Sequence, residues 1–166
     1  ITYGCAGLIP ADKTWDKPYS PLFKYSWRTV YPTLLEVAKV KEVNDFDGFL
    51  MQYSNPLTGG HVMQTMGASM QLLPAGFKGK AHKHTGSFVF QCAKGKGYSI
   101  INGKQYDWQE RDIFCVPSWA WHEHHNGSDT EDACLFSFND LPVIESLGLF
   151  QNREYTENNG HQTIIE

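Results

Sequence analysis

Between Gly76 and Asn126 the chain reads Gly76-Phe-Lys-Gly-Lys-Ala-His82-Lys-His84, then Gly95-Lys-Gly97, then Arg111-Asp-Ile-Phe-Cys-Val-Pro117-Ser-Trp-Ala-Trp121-His122-Glu-His124-His125-Asn126, and the remaining sequence is best understood from these residues outward. Two histidines separated by one residue, with a third further along, are three imidazoles that can meet on one metal ion. Strand geometry allows it, because residues i and i+2 of a strand share a face. His82 and His84 then project one way and Lys83 the other. The same parity puts His122, His124 and Asn126 on one face, with Glu123 and His125 opposite. On this reading His125 is exposed, Glu123 and Glu131-Asp132 are solvated charges, and His61 and His161 carry no role.

Outward from this stretch, turn signals recur at short intervals: Gly79, Gly86, Gly95 to Gly97, Asn102-Gly103 and Asn126-Gly127. Asn102-Gly103, between Tyr98-Ser-Ile-Ile101 and Lys104-Gln-Tyr106, predicts a two-residue hairpin. Phe49 to Tyr53 reads as a first strand and residues 62–73 as another, ended by Pro74-Ala-Gly76. Many short strands between regular turns predict an all-β sandwich or jelly roll. Upstream, Trp27, Val30, Tyr31, Leu34, Leu35 and Ala38 share one helical face. Pro32 is tolerated only near a first turn, so the regular part is expected from about Tyr31. That helix covers a sheet face or docks on a partner. Downstream, Asp140-Leu-Pro-Val-Ile-Glu-Ser-Leu-Gly148 is punctuated as a short helix. Residues 1–24 are expected to be an extended arm or linker, 25–150 one domain, and 151–166 a polar, frayed tail.

The chain has 166 residues, one domain by size, and a net charge of −4 from 14 basic and 18 acidic residues. No basic run provides a nucleic-acid footprint. No apolar run approaches membrane-spanning length, and Ile1-Thr-Tyr-Gly-Cys5 is no signal peptide. A first residue other than Met suggests a cut end at Ile1. Cys5, Cys92, Cys115 and Cys134 lack metal or redox spacing, so reduced thiols in the cytoplasm are expected. Asn126-Gly-Ser128 matches a glycosylation sequon only formally.

Gly76, His82, His84 and Gly95 resemble the first cupin motif, and Pro117, His122 and Asn126 the second. The flanking phrases Tyr53-Ser-Asn-Pro-Leu-Thr-Gly-Gly60, Leu73-Pro-Ala-Gly76, Val116-Pro-Ser-Trp-Ala-Trp-His122, Leu135-Phe-Ser-Phe-Asn-Asp140-Leu-Pro and Leu147-Gly-Leu149 resemble the second half of gentisate 1,2-dioxygenases, two-cupin Fe(II) ring-cleaving enzymes. The resemblance implies a cupin double-stranded β-helix, that is, a jelly-roll barrel with an N-terminal and a short C-terminal helix. It also implies an extradiol-type dioxygenase that takes a small hydroxy-aromatic acid and O2, with gentisate giving maleylpyruvate. The partner it implies is a second copy of the chain or an N-terminal cupin half.

His82, His84 and His122 are the candidate metal ligands, with Fe(II) implied by the family. Zn, Ni, Cu and Mn stay open on donor chemistry. Many cupins place a Glu four residues after the second His, where this chain has Phe88. Three neutral ligands would leave coordination positions free for an anionic chelating substrate and O2. Phe88 equally fits a plain core. His124 has the parity of a fourth ligand or of a donor that orients ligand or substrate, and the second is preferred. Gln71 matches an amide that contacts substrate in the family's catalytic half. Phe88, Phe90, Trp108 and Trp121 are candidates for an aromatic pocket wall, or for core. Phe90 stands where the catalytic half carries an Arg able to clamp a carboxylate. Lys83 and Arg111 are the candidate replacements, and Arg111 also replaces the Gly that opens the second motif. These departures favour an alternative: a non-catalytic, metal-binding cupin half whose partner half does the chemistry.

Overall fold

A computed structural model describes residues 24–165, so the arm expected at residues 1–24 lies, except for Lys24, outside the described residues. Helix α1 (Trp27–Val40) leads into β1 (Phe49–Gln52), β2 (Gly67–Leu73), β3 (His82–His84), β4 (Phe88–Lys94), β5 (Lys96–Ile101), β6 (Lys104–Gln109), β7 (Ile113–Val116), β8 (His122–Asn126) and β9 (Ala133–Asn139). Helix α2 (Leu141–Ser146) and β10 (Asn152–Glu154) follow. The strands form two antiparallel five-stranded sheets, β1-β2-β9-β4-β7 and β10-β3-β8-β5-β6. Consecutive strands alternate between the sheets over much of the chain, which is the jelly-roll pattern expected.

Strand parity sorts the side chains. Leu73, Phe90, Cys92, Trp108, Val116 and Leu135 belong to one buried cluster. The opposite parity of β2 gives Met70 and Leu72, which pack with Phe49, Cys134 and Leu34 of α1 in a second cluster. Helix α1 therefore covers the outer face of the first sheet. The hairpin β5–β6 turns through Asn102 and Gly103 with φ of 49° and 80°. Both values are positive, as a type I′ turn demands. Arg111 keeps the turn before β7 by adopting φ 78° itself, with its N–H on the Cys92 carbonyl at 2.9 Å.

Three expectations need correction. Helix α1 begins at Trp27, four residues before Tyr31, and contains Pro32. Packing outweighs the proline: Trp27 and Tyr31 stack at 5.0 Å, and exposed Arg28 leaves its freed carbonyl to water. Strand β2 starts only at Gly67, because residues 62–66 form turns instead. The tail is not frayed. Strand β10 pairs with β3, and Gln162, buried, donates to the Ile100 carbonyl at 2.9 Å and accepts from Gly103 N–H at 2.9 Å.

Candidate metal centre

Strands β3 and β8 pair antiparallel with His82 opposite His122. That single register, with the period of two, brings His84 onto the same patch. Ring centroids lie 4.3 Å apart for His82–His122, 4.9 Å for His84–His122 and 5.5 Å for His82–His84. One nitrogen from each ring lies within 4.8 Å of the others. His122 Nδ1 is 2.9 Å from the Ala120 carbonyl, and His84 Nδ1 is 3.2 Å from that of Thr85. A carbonyl only accepts, so both rings carry their proton on Nδ1 and keep the Nε2 lone pair for a cation. His82 Nδ1 is buried without any partner. Burial, then the neighbouring His82, lowers the pKa of His84 and lowers that of His122 well below its ordinary value. Three imidazoles converging on one point fit a divalent transition metal. The donor set alone suits several such ions.

The three histidines form one wall of a cavity of about 240 Å³. Phe88 and Phe90 line it, stacked at 5.8 Å, and Phe88 lies 4.7 Å from His84. Gln71 lines it too, donating from Nε2 to Asp47 Oδ1 at 2.7 Å while its buried Oε1 has no partner. Asp47 was hidden in the sequence as a turn residue. Asn44 Oδ1 accepts from the N–H groups of Phe46 and Asp47, and this turn sets the Asp47 carboxylate 4.0 Å from His82 Nε2. No strand pattern could have flagged it.

Other candidates lie elsewhere. His124 is fully buried, and the cavity lining does not include it. Trp108 Nε1–H donates to Ser99 Oγ at 2.9 Å, and that hydroxyl is 2.7 Å from His124 Nδ1. Phe90 packs against the His124 ring at 4.7 Å. Burial, then His82 and His125, pushes the His124 pKa down to about 3, so it is neutral. Trp108 is core behind His124, not pocket wall. Trp121, the residue before β8, is not among the residues lining the cavity. It meets Tyr155 at 5.0 Å, and Lys83 sits 4.5 Å above its ring and 4.6 Å above Trp119. Lys83 is thereby spent on the outer face, and Arg111 is exposed in a turn. Among the described residues no Lys or Arg lines the cavity.

Three further assignments change, those of Glu123, His125 and Asp132. Glu123 is fully buried and His125 is 4% exposed, because the C-terminal segment lies over them. Asp132 is held by Lys94 at 2.7 Å and Tyr31 at 2.9 Å. His61 bonds Gln52 and Glu145 at 2.9 Å each. Asn126 donates its amide N–H groups to the carbonyls of Leu73, Pro74 and Glu131, which excludes it as a sugar acceptor. Cys92 and Cys134 are buried free thiols, raised by burial to about 11 and about 12, whereas Cys115 is an exposed free thiol.

Among the described residues no helix is long and apolar enough to cross a membrane. Residues 69–139 match the family described as Cupin domain. The chain is 38% identical over 145 residues to a 5-aminosalicylate 1,2-dioxygenase of Comamonas sp, covering 87% of this chain and 38% of that protein. It is 35% identical over 149 residues to gentisate 1,2 dioxygenase 1 of Aquipseudomonas alcaligenes, covering 90% and 42%. Among solved structures it superposes on salicylate 1,2-dioxygenase from Pseudoaminobacter salicylatoxidans, determined as adducts with gentisate. There the TM-score is 0.72 and the identity 30%, covering 89% of this chain and 41% of that one. The chain thus spans about two fifths of the length of the relatives it matches. Its motifs, two-sheet barrel and these similarities together make it a cupin of the gentisate 1,2-dioxygenase family.

Proposed function

We propose that this chain is a non-haem Fe(II) dioxygenase of the gentisate type, acting in the cytoplasm to cleave the ring of a small hydroxy-aromatic acid. The carrying observation is the convergence of three imidazoles on one wall of a cavity with an aromatic wall beside it. His82, His84 and His122 would hold the ion. When bound, Fe(II) supplies Lewis acidity for a hydroxy acid's two oxygens and the electrons for O2 activation. The chain's own residues bind and orient. Phe88 and Phe90 offer flat faces to a ring. Gln71, its Nε2 committed to Asp47, presents Oε1 as an acceptor for a substrate O–H. His124 lies behind Phe90, so its role becomes holding β8 and that ring in place. The cavity, about 240 Å³, is smaller than the ~300–1,000 Å³ of typical drug-sized pockets, which favours one ring over two.

A second reading rests on its own observation. Among the described residues no Lys or Arg lines the cavity, and the Asp47 carboxyl group there offers an acid no favourable partner. A metal-binding half that supports a catalytic cupin elsewhere in a longer protein would have this character. The partner proposed in either case is a second copy or an N-terminal cupin half, and a groove of about 1250 Å³ beside Tyr25, Tyr53, Leu57 and Phe136 is open to it.

Anaerobic loading with Fe(II), followed by ring-cleavage absorbance with gentisate, salicylate and 1-hydroxy-2-naphthoate, tests the first reading. Turnover best on the single-ring acids and abolished in His82→Ala is the expected result. One bound iron with no turnover on any of the three acids overturns it in favour of the supporting half.

A further inference from the structure

We propose that Glu123, His125 and His161 form a second metal site, on the outer face of β8, that takes a zinc-class divalent cation. Glu123 and His125 alternate with the inward residues His122, His124 and Asn126, so the barrel wall separates this cluster from the first one. One ligand atom from each of the three residues lies within 4.8 Å of the others. Glu123 Oε1 is occupied by the Gln162 N–H at 3.0 Å, which leaves Oε2 facing both rings. Oε2 is 2.9 Å from His161 Nδ1 and 3.5 Å from His125 Nε2.

His125 makes the case. It is 4% exposed, stacked on Tyr98 at 4.6 Å, and among the described residues neither of its nitrogens has a hydrogen-bond partner. A buried imidazole left unpaired is costly. At 3.5 Å, Nε2 is too far from Oε2 for a good hydrogen bond. The separation suits two ligands of one ion instead: atoms bound tetrahedrally at about 2.0–2.1 Å from zinc lie about 3.3 Å apart, and the two observed distances bracket that. Two imidazoles and one carboxylate leave a fourth position for water. Binding would displace the proton that His161 Nδ1 shares with Oε2.

The ligands join strand β8 to the C-terminal segment. That segment also accepts from Ala81 N–H through the Gly160 carbonyl at 2.7 Å, next to His82. A cation here would clip the tail across the sheet that carries the first cluster. The role is structural, since Glu123 and His125 are closed to solvent.

The test uses the 166-residue chain, His161→Asn, His84→Ala and the double variant, each dialysed against Zn²⁺ with a weak competing chelator and analysed for metal. His161→Asn keeps an N–H for Glu123 but replaces the imidazole nitrogen by an amide oxygen, a poor zinc ligand. The expected result is one zinc fewer per chain in His161→Asn than in the parent, and one fewer in the double variant than in His84→Ala. Zinc should also raise the unfolding temperature of His84→Ala and leave that of the double variant unmoved. X-ray absorption on zinc-loaded His84→Ala should read nitrogen and oxygen ligation with two imidazoles. Equal zinc content with and without His161 in both backgrounds, or a spectrum with one imidazole or with sulfur, overturns the site. None of these readouts depends on ring cleavage.

Discussion

Ser99 shows how much one side chain can carry here. Its hydroxyl, fully buried, is among the described residues the only bonded partner of both Trp108 Nε1 and His124 Nδ1. Ser99→Ala removes no volume that its neighbours need, yet strands two buried polar atoms. Each such atom costs about 1–3 kcal/mol. Urea unfolding of Ser99→Ala should therefore show a lower midpoint at unchanged slope, a loss of about 2 kcal/mol or more. An unchanged midpoint would mean that water replaces the hydroxyl. At this scale the sequence was legible wherever a period of two sufficed. Parity placed His82, His84 and His122 on one face of β3 and β8, and the cupin spacing picked those three over His124, which shares that parity. Asp47 was not legible, because an Asn44-capped turn and not a strand delivers it. Glu123 and His125 were misjudged as exposed for a related reason: parity says which side a residue takes, not whether a distant segment covers that side.

Helix α1 is fastened to the barrel by two different kinds of contact, and they respond to different perturbations. Leu34 is its one fully buried side chain, lodged among Phe49, Met70 and Leu72. Leu34→Ala should cost about 2–5 kcal/mol, read as a shift of the urea midpoint. The second contact is polar. Tyr31 Oη and Lys94 Nζ both donate to Asp132. Burial alone would raise the Asp132 pKa, but the hydrogen bonds from Lys94 and Tyr31 outweigh it and hold the group below its ordinary value. For Lys94, burial alone would lower the pKa, and Asp132 outweighs it and raises it. A depressed acid contributes stability that is present above its unfolded pKa of about 4 and is lost as pH falls through the folded value. A raised base contributes stability present below its unfolded pKa and lost as pH climbs through the folded one. The stability difference between the parent and Asp132→Asn should thus be flat near neutrality and shrink below about pH 4. A difference that grows in acid would show that Asp132 is strained in place instead of paired. The helix itself was readable from its apolar face, but its start was not. Local propensity put the boundary at Pro32's first turn, and the Trp27–Tyr31 stack moved it.

For the molecule as a whole, the two sheets and their inward face followed from turn spacing and the cupin motifs, although among the described residues only β1–β2 and β5–β6 pair strands that are consecutive in sequence. What surrounds the barrel did not follow, because surface contacts depend on segments and partners that no periodicity encodes. A groove of about 1250 Å³ lies beside the segment between β1 and β2, and His61 lines both it and the cavity of the three-histidine cluster. The groove is also lined by Tyr25, Trp27, Tyr53, Leu57, Met63 and Phe136, and Leu57 and Met63 are 68% and 57% exposed. Monomeric proteins rarely leave an apolar patch of that kind open to water. Under the proposal that a second copy covers it, sedimentation velocity of the parent chain should report a species larger than a monomer. Leu57→Glu with Met63→Glu would bring like charges together across a self-complementary interface, and should shift the chain to monomer without changing its circular dichroism. Both residues sit in the turn-rich segment between β1 and β2, away from every candidate metal ligand. Metal content should therefore be unaffected, which separates loss of assembly from loss of fold. A parent chain that stays monomeric at every concentration would rule out the second copy and leave the groove to a cupin half of different sequence.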